Sequence, residues 1–307
     1  MAAGAAVAVQ SRINGELGAR LADGIAAATV SFGTGMIVLI LLVPTHPAGR
    51  RSLAAVWQAV RGGALRPWQC LGGVCGAYLV VTQGAIVPSL GVAIYTIAVV
   101  AGQSGSSLLV DRAGVGPSGP QPVTAGRLAG ALLAVVAMVV TVGDRLTGGQ
   151  QSLLVALPAL AGVAIAWQQA VNGRVRVAAG AALPAAFVNF ATGTTALLLA
   201  FAVDWAARGW PTGSLPRQPW LYLGGPLGVV FIALAAALVR LTGVLLLALG
   251  MIAGQVIGAI GVDLLVPDSG TGRPGARALT GAGLTLVAVV VAAFSSRDRP
   301  APVGTAR

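Results

Sequence analysis

The chain has no lysine, one glutamate (Glu16) and one histidine (His46), and charged residues make up only 9% of it. With 56% hydrophobic residues and a mean hydropathy of +0.87, it has too little polar surface to cover a water-soluble globule. A single histidine in a Pro-flanked loop and two cysteines, Cys70 and Cys75, inside one apolar run give neither a metal-ligand spacing nor a disulfide framework. No His-Asp-Ser set and no nucleotide-binding loop is present, which argues against an enzyme and against ATP-driven pumping by this chain. No cofactor is expected. The formal charge of +11 comes from arginines scattered among short connections, a pattern of membrane topology signals rather than of a nucleic-acid surface.

What fills the chain is apolar runs of about 17 to 22 residues, the length a helix needs to cross hydrocarbon. They do not alternate as barrel strands do, so the expected fold class is an all-α integral membrane protein. In the first half, spans are expected from the N-terminus to about Ala19, then Ile25–Val43, Trp68–Val87, Leu90–Val110 and Ala125–Val142. In the second half they are Leu153–Gly173, Leu183–Val203, Trp220–Val239, Gly243–Val262 and Ala278–Phe294. The patch Leu53–Val60, between arginines, reads as an interfacial helix. Trp68, Trp205, Trp210 and Trp220 fall at span ends, where amphipathic rings prefer the headgroup level. No cleavable signal is evident at the start, and the first span is shorter at its front than its counterpart in the second half.

The two halves repeat one another. Gln10, Asn14-Gly15, Ser31-Phe32 and Thr34-Gly35 return at the same spacing as Gln168, Asn172-Gly173, Asn189-Phe190 and Thr192-Gly193. Pro67-Trp68, Gly72-Gly73, Gly76, Gly102-Gln103 and Asp111 return as Pro219-Trp220, Gly224-Gly225, Gly228, Gly254-Gln255 and Asp263. Such an echo marks an internal duplication. The expected organisation is therefore a five-helix repeat over 1–143, a linker over 144–150, a second repeat over 151–295 and a tail over 296–307.

Five crossings is an odd number, so the second repeat enters from the side opposite to the first, giving two inverted five-helix repeats and ten transmembrane helices. The face bearing both termini collects 12 arginines and the other 7. By the positive-inside rule, both termini are expected in the cytoplasm of a multi-pass plasma-membrane protein.

Gln10 and Asn14 lie four residues apart on one helical face, as do Gln168 and Asn172. Amides in a span must find partners, so these faces point inward. Two readings stay open. Either the amides bind helix to helix, or they line a cargo pathway together with Ser31, Asn189, Gln103 and Gln255. Glu16 is a weaker candidate for a coupling acid; it sits toward the end of the first span and its counterpart is Arg174. Salt bridges or helix caps are the simpler roles for Glu16, Asp111 and Asp263, and Arg12 stands one helical turn from Glu16. Small-xxx-small pairs such as Gly72 with Gly76 and Gly224 with Gly228 are expected to bring backbones close.

Together, Gln-x-x-x-Asn-Gly in the first span, Ser/Asn-Phe-x-Thr-Gly in the second and Gly-Gln before an Asp-ending fourth span resemble the YdcZ-type branch of the drug/metabolite transporter superfamily. The resemblance appears in both halves. It implies a ten-helix inner-membrane protein, a fused form of a five-helix unit that works as an exporter. The chain departs from a symmetric pattern in its short first helix and in Glu16, which has no acidic counterpart.

The expected function is a secondary transporter that exports a small metabolite or drug-like molecule by alternating access. A channel of the same fold and a non-transporting membrane scaffold are the alternatives. Membrane lipid, a small-molecule cargo and a second copy of the chain are the expected partners; nucleic acid is not.

Overall fold

A computed structural model describes residues 2–142, 149–266 and 273–294, with side chains at 3, 149–151 and 232–249 outside that description. The expected linker 144–150 and tail 296–307 fall largely or wholly outside the described residues. All regular structure among the described residues is helical, as an apolar backbone in lipid requires. The helices are α1 (Ala2–Leu21), α2 (Gly24–Leu42), α3 (Pro47–Arg61), α4 (Gly72–Leu90), α5 (Val92–Arg112), α6 (Ala125–Val142), α7 (Gly149–Ala179), α8 (Ala182–Arg208), α9 (Gly224–Leu265) and α10 (Ala276–Phe294). Among the described residues, 7 helical segments are long and apolar enough to cross a bilayer, and Gly250–Leu265 is a shorter apolar one. Helix α1 is not among the 7, because Gln10, Arg12, Asn14 and Glu16 dilute its apolar face.

The helix boundaries have local causes. Asp23 caps α2 by accepting from the N–H groups of Ile25 and Ala26 at 2.7 and 3.0 Å. Gly91, at φ +78°, ends α4 and starts α5. Helix α3 exposes Trp57 and Arg50 and buries Val56 against Val175 and Ala179, the disposition expected of an interfacial helix.

Helix α9 covers two of the expected spans. Separate spans Trp220–Val239 and Gly243–Val262 are expected, whereas the backbone is assigned helical from Gly224 through Leu265. In the first half Pro88 and Gly91 stand at this point, and the second half has Arg240 where the first has Pro88. The helix is nevertheless not a rod. Gln10 of α1 bonds Gly224, while Gly4 of α1 lies against Met251 and Gln255. Gly4 and Gln10 are about 9 Å apart along α1, whereas a straight helix would separate Gly224 from Met251 by about 40 Å. The chain therefore doubles back between Gly228 and Met251, and α1 packs against both limbs.

Glycines make the contacts between the halves reciprocal. A Cβ on Gly73 of α4 would strike the carbonyl of Asn189 on α8, and a Cβ on Gly225 of α9 would strike the carbonyl of Ser31 on α2. Gly193 lies against the ring of Phe32 and Gly35 against the ring of Phe190; the two rings meet at 4.9 Å between centroids. Gly130, early in α6, meets Ala288 and Ala292, late in α10; Gly281, early in α10, meets Ala137 and Thr141, late in α6. Helices α6 and α10 thus pack antiparallel through small residues, as lipid-embedded helices do.

Candidate transport site

Each half contributes one amide cluster, and each cluster is closed by glycines from the other half. In the second, Asn189 Oδ1 accepts from Gln168 Nε2 at 2.9 Å and from Asn172 Nδ2 at 3.0 Å. Gly72 and Gly76 at the start of α4 press against Asn172 and Gln168. In the first, Gln10 Nε2 donates to the carbonyl of Gly224 at 2.9 Å, and Gly228 lies beside the same amide. Asn14 Nδ2 donates to Gln83 Oε1 at 2.7 Å, and Gln83 Nε2 donates to Ser11 Oγ at 2.9 Å. Asn14, Gln83, Ser11 and Ser31 are all buried.

The clusters are homologous in sequence but wired differently. Asn189 is the hub of the second; Ser31 takes its place in the first, where Asn14 Nδ2 donates to Gln83 instead. Two buried side-chain atoms of the first cluster consequently lack partners, Asn14 Oδ1 and Ser31 Oγ. Both face Gly224: a Cβ there would lie 2.8 Å from Ser31 Oγ and closer still to Asn14 Oδ1. In the second cluster Asn172 Oδ1 faces Gly72 in the same way, on a residue that is only half-buried.

Other candidates separate from these clusters. Gln103 is buried on α5 and donates to Gln169 Oε1 of α7 at 3.3 Å. Gln255 is half-buried on α9 where Gly4 of α1 crosses. Phe32 lies beside Gly76, which also meets Gln168, and Phe190 lies beside Gly228, which also meets Gln10. Glu16 pairs at 2.8 Å with Arg20, the next turn toward the end of α1.

Among the described residues, Asp263 and Asp111 act as a cap and an ion-pair partner. Asp263, buried near the end of α9, accepts from the N–H groups of Val92 and Ala93 at 3.1 and 2.8 Å, capping α5 where Gly91 offers no side chain. Asp111 pairs with Arg127 of α6. Arg174 of α7 donates to the carbonyls of Gly114 and Val115, strapping the α5–α6 connection.

Several bonding residues escape a search guided by the duplication, because the other half does not repeat them. Gln83 corresponds to Ala235, and the hydrogen-bonded pair Thr82–Tyr95 (2.8 Å) corresponds to Leu234 and Leu247. Tyr78, whose hydroxyl donates to the carbonyl of Leu157 at 3.2 Å, corresponds to Val230. Their signal in the sequence is the opposite one: polar residues in one copy where the other is apolar.

A family described as "Putative inner membrane exporter, YdcZ" matches residues 1–140 and 153–291. The chain belongs to the YdcZ family. No curated protein and no solved structure matches it. Membership of this exporter family, with the apolar helices, makes the chain a multi-pass membrane protein of a transporter family rather than of an enzyme family.

Proposed function

We propose that the chain is a secondary transporter that exports a small metabolite or drug-like molecule from the cytoplasm by alternating access. Its two five-helix repeats face opposite ways, and α1 with the two limbs of α9 completes ten crossings. Both termini lie in the cytoplasm. The observation that carries this reading is the reciprocity of the contacts: Gly130 meets Ala288 while Gly281 meets Ala137, early residues of one helix against late residues of its counterpart. Equivalent helices that run antiparallel about a shared axis are what an inverted repeat requires. Two halves that exchange the same contacts can exchange roles, each closing one side in turn.

The test has two arms. Single cysteines placed after Val43 and after Val203, in a chain with Cys70 and Cys75 replaced by serine, are labelled from outside intact cells with a membrane-impermeant maleimide. Opposite accessibility is expected, and labelling of both from one side removes the inverted arrangement. Reconstituted vesicles then show saturable accumulation against a gradient for a carrier, and equilibration only for a channel. A second reading, a non-transporting scaffold, is favoured by the internal pairing of Asn172 with Asn189 and of Asn14 with Gln83. It predicts no flux of any solute.

A further inference from the structure

Resting on the transporter reading, we propose that the two amide clusters are not equivalent: cargo binds at the first, on Gln10, Asn14 and Ser31, and the start of α9 occupies that site in this conformation. The second cluster is tied together at Asn189 Oδ1, which accepts from both Gln168 and Asn172. The first is left with an acceptor, Asn14 Oδ1, and a hydroxyl, Ser31 Oγ, both without partners on residues 0% and 2% exposed. Such atoms cost about 1–3 kcal/mol each when buried unpaired. They are directed at one place, the Cα of Gly224, where the absence of a side chain lets the backbone fill the gap. Gln10 Nε2 is held meanwhile by the carbonyl of the same residue.

Gly224 thus stands in for a ligand. Its carbonyl takes the donor of Gln10, and its Cα–H groups take the place of a stronger donor to Asn14 Oδ1. When the Gly224–Gly228 end of α9 withdraws, three side chains present two acceptors and two donors to the vacated space. Among the described residues no carboxylate bonds to any of them, and Gln83 holds the Asn14 amide so that its oxygen faces inward. The cargo that fits is an uncharged hydrogen-bonding group, such as an amide or alcohol function bearing both a donor and an acceptor. A cation, which needs a carboxylate to offset its desolvation, does not fit.

The test uses the full chain in membrane vesicles with Cys70 and Cys75 replaced by serine, and thiol reagents as probes. Ser31→Cys and Asn189→Cys are compared with three methanethiosulfonates of similar size: the neutral methyl reagent, an aminoethyl cation and a sulfonatoethyl anion. Ser31→Cys is expected to react with the neutral reagent at least about tenfold faster than Asn189→Cys, equivalent to about 1.4 kcal/mol in opening free energy. It is also expected to react faster with the neutral reagent than with either ion. Equal rates at the two positions, faster modification of Asn189→Cys, a preference for the cation or no reaction at Ser31→Cys each overturn the proposal. Should Ser31→Cys fail to fold, Gln10→Cys against Gln168→Cys repeats the comparison. Flux measured separately on the unmodified chain keeps this outcome distinct from the transporter reading, which persists if flux is saturable and the cysteines react alike.

Discussion

Asp263 caps Val92 across the two halves: a carboxylate near the last turn of α9 holds the N-terminus of α5 at the point where Gly91 breaks the α4–α5 hairpin. A buried carboxylate is expensive unless its charge is answered. Here two backbone N–H groups and the positive end of the α5 dipole contribute to that answer.

The first prediction concerns this cap. Asp263→Ala leaves the N–H groups of Val92 and Ala93 without these acceptors in an apolar surround and is expected to cost about 1–3 kcal/mol. Asp263→Asn keeps an acceptor oxygen and should cost less. Thermal unfolding of the detergent-purified protein, followed by monodispersity on a sizing column, ranks the three. An Asp263→Ala protein as stable as the parent would show that α5 does not depend on the cap.

A second prediction uses glycines that stand in unlike surroundings. A methyl group at Gly73 or Gly225 would overlap a carbonyl oxygen of the facing half, and neither backbone can yield without separating the helices. Gly73→Ala and Gly225→Ala are expected to destabilise by at least the 1–3 kcal/mol of ordinary overpacking, roughly. At Gly33 nothing lies within 4 Å of the added atom, and Gly33→Ala should be neutral or stabilise by up to about 1 kcal/mol through helix propensity. The same melting measurement checks all three; equal effects at the three positions would remove the close-approach argument.

These glycines also show where the sequence was readable. Gly72-Gly73 and Gly224-Gly225 stand out because they repeat, and a small residue in an apolar span has few roles other than close packing. The amides of Gln168, Asn172 and Asn189 are legible for the same reason. Gln83 is not, since a lone Gln in a run such as Val80-Val81-Thr82-Gln83 carries no period and no counterpart. A Ser in place of an Asn also shows its effect only once Asn14 is seen turning to another helix. The two limbs of α9 stand apart in the sequence as Trp220–Val239 and Gly243–Val262, although Arg240-Leu241-Thr242-Gly243 lacks the proline of the matching turn in the first half.

The third prediction follows from that rewiring. Asn14 and Gln83 share a buried bond of 2.7 Å, so Gln83→Ala leaves Asn14 Nδ2 unpaired and Asn14→Ala leaves Gln83 Oε1 unpaired. The double variant removes both orphans together, and the coupling energy should be about 0.6–1.7 kcal/mol, the span measured for interhelical bonds in membranes. With cargo bound at the first cluster, Gln83→Ala also lowers flux more than an equally destabilising change far from the cluster, because Asn14 no longer holds its orientation. Additive stabilities with unchanged flux would mean that Gln83 only fills space.

The fourth prediction concerns Phe32 and Phe190, whose rings meet while each also covers one glycine of the other half and one of its own: Phe32 over Gly193 and Gly76, Phe190 over Gly35 and Gly228. Each ring holds the equivalent place in its own copy, so Phe32→Ala and Phe190→Ala should destabilise to a similar degree. That cost should fall below the 3–5 kcal/mol, roughly, of a Phe→Ala change in a water-soluble core. Lipid is as apolar as the protein interior, so the loss is one of packing and not of transfer from water. The double variant should be milder than the sum by about 0.5–1.5 kcal/mol, the worth of an aromatic pair beyond its buried area. Melting temperatures of the two single variants and the double variant decide it. Strongly unequal single effects would mean that the two rings do not occupy equivalent places, and the reciprocity of the halves would then stop short of their shared centre.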